Sequence, residues 1–86
     1  MTSQPRSGSV VLGGYPWLAR MIDKSRLSDI DKEVLDLDYP CPMDQQLLHK
    51  FGISGHDFQA ITLAHPTDAE VLQALQAKGI AVELPA

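Results

Sequence analysis

With 86 residues, a hydrophobic fraction of 44%, one cysteine and a formal charge of −4, the chain has room for one core and no second domain. The acidic balance argues against a dedicated nucleic-acid binder, which needs a basic face, and a lone cysteine excludes an internal disulfide. No apolar run approaches the roughly 20 residues that cross a bilayer, and Met1 to Arg6 lacks the apolar centre of a signal peptide, so the expectation is a soluble cytoplasmic protein that engages neither membrane nor nucleic acid.

Residues 1–11 read as a flexible N-terminal tail. Residues 1–9 are small and polar, interrupted by Pro5 and Gly8, and offer too little apolar surface to offset the entropy of ordering. Ser9 to Leu12 is briefly β-prone until Gly13 and Gly14 stop it. A single domain is expected over 12–84. Pro16 suits a first helical position, and Trp17, Leu18, Met21 and Ile22, continued by small Ser25, recur at three- and four-residue steps, which predicts an amphipathic helix from Pro16 to about Leu27. Trp17 is the largest apolar side chain, and the helix that carries it is expected to anchor the core. Arg20, Asp23, Lys24 and Arg26 fall off the stripe, with Arg20 and Asp23, and Asp23 and Arg26, spaced for surface pairs worth tenths of a kcal/mol.

Ser28 to Asp38 is acid-rich. Asp29, Asp31 and Glu33 have the spacing of the first ligands of a calcium loop, yet Val34 occupies the turn-glycine position and Pro40 the place of the closing carboxylate, so a solvated connector is expected and no metal. The stretch Tyr39-Pro40-Cys41-Pro42-Met43-Asp44 then opens the second half. Pro42 can begin a helix, which places Cys41 at its N-cap, where unpaired N–H groups and the helix dipole favour a thiolate. Asp44 opposes this by like-charge repulsion and by competing for the same N–H groups. A free cysteine is also an ordinary small core residue.

Met43, Leu47, Leu48 and Phe51 form the stripe of this second helix, ended by Gly52. Ser54 caps a third, with Phe58, Ile61, Thr62 and Ala64 inward, until His65 and Pro66 end it. Thr67 to Glu70 is a capping box opening a fourth with Val71, Leu72 and Leu75 on one face; Gly79 closes it, and Ile80 is placed to fold back on Leu75. The fold class is mainly α: a small single-domain bundle of about four short helices, with at most a minor two-stranded pairing of the terminal segments, Ile80 to Leu84 against Ser9 to Leu12.

Two motifs, Leu18-Ala19-Arg20-Met21-Ile22-Asp23-Lys24 after Leu12-Gly13-Gly14, and Tyr39-Pro40-Cys41-Pro42-Met43-Asp44-Gln45 with Phe51-Gly52-Ile53, go beyond what amphipathicity dictates. Over roughly residues 12 to 80 they make the chain resemble the bacterial domain-of-unknown-function family numbered 5069. The resemblance implies that Arg20, Asp23, Lys24, Cys41, Asp44 and Gln45 belong to motif positions; it implies no activity, cofactor or substrate.

The histidines His49, His56 and His65 lie seven and nine apart, so no two share the i,i+4 spacing of metal ligands on a helix. Leu47 to Ser54 resembles a helix-turn-helix entrance, but the following helix carries Asp57 and no Arg or Lys, unlike a groove-reading helix. Two functional classes remain. The favoured one, since no nucleophile and general-base pair is legible, is a non-enzymatic interaction or small-ligand-binding module with no cofactor, in which Arg20, Asp23, Lys24, Tyr39 and Gln45 bind an unknown protein or a small anionic ligand. The alternative is a thiol-dependent activity centred on Cys41 with Asp44 as partner. Exposed apolar faces leave room for a homodimer without specifying its interface.

Overall fold

A computed structural model of the chain describes residues 5–30 and 42–84, the side chains of 28–30 excepted. Residues 31–38 of the acidic connector, with Asp31 and Glu33 of the calcium-loop spacing, and Tyr39 and Cys41 therefore lie outside the described residues. Within them, β1 (Val11–Leu12) and β2 (Tyr15–Pro16) are followed by α1 (Leu18–Ile30), α2 (Pro42–Phe51), α3 (Gly55–Ala64) and α4 (Asp68–Ala77). The mainly helical class is as the sequence indicates. No helix among the described residues is long and apolar enough to cross a membrane.

The strand pairing differs from the sequence expectation. β1 and β2 form an antiparallel hairpin, Val11 opposite Pro16 and Leu12 opposite Tyr15, because Gly13 and Gly14, both at positive φ, let the chain reverse in two residues. The C-terminal segment does not form a ladder with β1. It docks on the hairpin turn through Glu83 N donating to Gly13 O at 2.9 Å and Tyr15 Oη donating to Ala81 O at 2.8 Å. Pro16 thus sits in a strand, and the first helix starts two residues later than its proline suggests.

The core is built by Leu18, Met21 and Ile22 of α1, Leu47, Leu48 and Phe51 of α2, Phe58 and Ile61 of α3, and Val71, Leu72 and Leu75 of α4, with Ile80 and Val82 behind them. The first helix thus anchors the core through Leu18, Met21 and Ile22, while Trp17 packs against the cluster and is partly buried; Phe58 is the largest fully buried side chain among the described residues. Helices α1 and α3 meet through a polar seam inside the apolar contact. Ser25 Oγ and Thr62 Oγ1 share a hydrogen bond at 2.6 Å, and Gln59 Nε2 donates to Ser25 O at 2.7 Å.

Helix ends follow the local chemistry. Ser54 Oγ accepts from Asp57 N, and Thr67 Oγ1 accepts from Glu70 N while donating to the Glu70 carboxylate, which satisfies otherwise orphaned N–H groups. Gly52 and Gly79 close α2 and α4 in the left-handed region, and the next residues, Ile53 and Ile80, donate back to Leu48 O and Leu75 O. That is the Schellman geometry, and it turns both isoleucines toward the core.

Candidate functional site

The motif-bearing residues of α1 and α2 converge where the start of α2 crosses α1. Asp44 occupies the third position of α2 and is completely buried. Its Oδ2 accepts from Lys24 Nζ at 2.8 Å and its Oδ1 from Trp17 Nε1 at 2.7 Å. Lys24, 4% exposed, was expected off the apolar stripe. It lies inside because its partner does: a buried carboxylate is tolerable only when a cation and hydrogen-bond donors neutralise it. The same inward turn of Asp44 sends Met43 outward, so the buried stripe of α2 runs Asp44, Leu47, Leu48, Phe51, and Met43 is 47% exposed. Ala64 of α3 is likewise on the surface.

Trp17 is the hub. Its φ of 77° is the left-handed region, which costs a bulky residue about 1–3 kcal/mol unless its surroundings hold it there. They do. Trp17 N donates to Gly8 O at 2.9 Å, Trp17 O accepts from Met21 N at 2.9 Å, and the indole is fixed by Asp44. Two cations flank the ring, Arg20 Cζ at 5.3 Å and Lys24 Nζ at 5.8 Å from its centroid, within cation–π range.

The pairs expected along the surface of α1 are replaced by tertiary ones. Asp23 Oδ2 accepts from both the backbone N and Nε of Arg6, at 2.8 Å each, and its Oδ1 from Nη2 at 3.1 Å. Arg6 also reaches Asp68 at the start of α4, Nη1 to Oδ2 at 2.8 Å and Nη2 to Oδ1 at 3.0 Å. The Asp68 hydrogen bond, then that of Asp23, raises the Arg6 pKa further above its ordinary value, and the Arg6 guanidinium holds the Asp68 carboxyl below the usual carboxylate range. Arg20 Nη1 donates to Arg6 O at 3.2 Å. Arg26 leaves Asp23 altogether and donates to Thr62 O and His65 O at the end of α3, where a cation meets the negative end of the helix dipole.

Of the residues singled out in the sequence, Arg20, Lys24 and Asp44 therefore gather around Trp17, and Asp23 joins through Arg6. Gln45 lies on the exposed side of α2. Tyr39 and Cys41 are outside the described residues. Sequence reading passed over Arg6 and Asp68, whose separation of 62 positions leaves no local signal. Trp17, besides packing on the core, gives its N–H and its ring to a charged cluster.

A family model for the Domain of unknown function (DUF5069) matches residues 2–83. The chain belongs to this family. The DUF5069 match starts ahead of Arg6, so it takes in the N-terminal residues that the resemblance, starting near Leu12, did not cover. No curated protein and no solved structure matches the chain.

Beside the Trp17 cluster the surface dips into an open hollow of about 180 Å³ lined by Pro16, Trp17, Met43, Gln46, Leu47 and Lys50. Lys50 Nζ stands 5.6 Å from the Tyr15 ring centroid, and Tyr15 packs edge-on against Phe51 with centroids 5.1 Å apart. The hollow thus combines an exposed thioether, an indole edge, an amide and an ammonium group. It can bind an apolar body carrying one anionic end.

Proposed function

We propose that this DUF5069 protein is a non-enzymatic recognition module whose binding surface is the shelf between β2 and the outer face of α2. Its ligand carries a phosphate or carboxylate, borne by a small molecule or by a partner protein. The hollow beside Trp17 supports the reading: Met43, an adaptable apolar side chain, lies open there, and Lys50 supplies the charge. The division of labour among the ionic groups supports it too. Lys24 and Asp44 are engaged with each other and with Trp17, and Arg6 with Asp23 and Asp68, so recognition falls to Trp17, Gln46 and Lys50. Asp44, the expected partner of a reactive Cys41, is occupied by Trp17 and Lys24.

Trp17 is the sole tryptophan, so its fluorescence reports on the shelf directly. Titration with inorganic phosphate and with a short acidic peptide should give a saturable change for at least one of them, abolished by Lys50→Glu. Absence of any saturable response to either ligand into the millimolar range, or equal binding by Lys50→Glu, would overturn the assignment.

A further inference from the structure

Residues 5–9 lie along α1 and over Trp17, yet they contribute no side chain to the core. Their attachments are polar and few. Arg6 bonds the two carboxylates and Ala19 O and accepts from Arg20, Gly8 O accepts from Trp17 N, and among the described residues Ser7 and Ser9 bond to each other and to Val10 N. Gly8 lies so close to the indole that a Cβ there would collide with Trp17 Cε3 and Cζ3. We propose that residues 5–9 are a strap, closed over Trp17 by Arg6, which opens as a unit while the four helices stay folded, and whose closure is set by ionic strength.

The physical case rests on unequal anchoring. A segment with few buried apolar contacts and solvent-reachable hydrogen bonds opens locally at less cost than the whole domain unfolds. The strap's ion pairs are partly exposed, with side-chain exposures of 35% and 20% for Arg6 and Asp23 and of 35% and 34% for Arg6 and Asp68, so salt screens them. The Lys24–Asp44 pair beneath is buried at 4% and 0% and is screened much less. Opening removes one of the tethers that hold Trp17 in its left-handed conformation, namely the bond from its N–H to Gly8 O. It also uncovers the indole edge that Gly8 hides and frees Arg20 from Arg6 O. Salt thus acts on the strap and spares the core.

The test uses the full chain as wild type, Arg6→Gln and Gly8→Ala, with acrylamide quenching of Trp17 and amide hydrogen exchange, at low salt and at about 1 M salt, where the Debye length falls to about 3 Å. Arg6→Gln at low salt, and wild type at high salt, should each speed exchange of the Trp17 amide by at least about tenfold and raise its quenching, while the amides of Ile22 and Phe58 stay slow. Gly8→Ala, which keeps every charge, should open the strap at low salt as well. If Trp17 exchange in Arg6→Gln equals wild type, no strap is held by Arg6. If instead Trp17, Ile22 and Phe58 lose protection together, or Arg6→Gln cannot fold, the segment belongs to the core, and the salt series on wild type checks that result independently. Gly8→Ala with unchanged quenching also overturns the proposal. None of these readouts needs a ligand, so they stand or fall separately from the binding shelf.

Discussion

Replacing Lys24 by methionine keeps most of the side-chain volume and removes one charge from a pair that is 4% and 0% exposed. Asp44 keeps its bond to Trp17 Nε1 but loses the ammonium at 2.8 Å. Breaking a buried pair by removing one partner costs about 3–5 kcal/mol, because a desolvated charge is left behind. A domain of this size has about 5–15 kcal/mol in total. With an unfolding entropy of about 0.18 kcal/mol/K for a chain of this length, the expected fall in Tm is roughly 17–28 °C, against about 6 °C or less for an exposed pair worth up to ~1 kcal/mol. Thermal unfolding followed by circular dichroism separates the two cases. The double variant Lys24→Met with Asp44→Leu removes both charges and should recover most of the loss, since apolar replacement of a whole buried pair is often neutral or better. A fall of less than about 6 °C for Lys24→Met, or a double variant no more stable than the single one, would refute the claim that desolvation governs this site.

Acid should weaken the Arg6 clamp. The folded Asp68 pKa lies below its ordinary value because of Arg6. Its contribution is therefore fully present above the unfolded value, near 3.9, and is lost as pH falls through the lower folded value. Asp68→Asn should cost about 0.5–1 kcal/mol at neutral pH, a modest figure for a group about a third exposed, and in urea titrations its difference from wild type should shrink as pH falls below the unfolded value. In the seam between α1 and α3, Ser25→Ala takes from Thr62 Oγ1 its 2.6 Å partner while its bond to Gln59 O remains, and should cost about 1 kcal/mol by urea unfolding.

Much of the fold was legible because it is written in local chemistry. The Thr67 to Glu70 box, the Ser54 cap, and Gly52 and Gly79 each act within a few residues of themselves, and the structure places the ends of α2, α3 and α4 where those residues put them. The start of α1 misled because Pro16 satisfies two local rules, helix N1 and strand edge. The choice fell to the hairpin made by Gly13 and Gly14. Periodicity also placed Met43 on the inner face and Lys24 outside, since it scores hydrophobicity and cannot see that two opposite charges from different helices meet.

By itself, then, the sequence settled the helical class, the caps and the apolar stripes, all of them interactions spanning a few positions, whose partners the chain must bring together whatever else it does. Tertiary structure alone decided that Asp44 turns inward to Lys24 and Trp17, that Arg6 ties Asp23 to Asp68, and that Trp17 is held at a backbone angle it would not choose. Those contacts join residues far apart in sequence, and their energies depend on how completely packing excludes water from the charges, a quantity with no value until the helices have met.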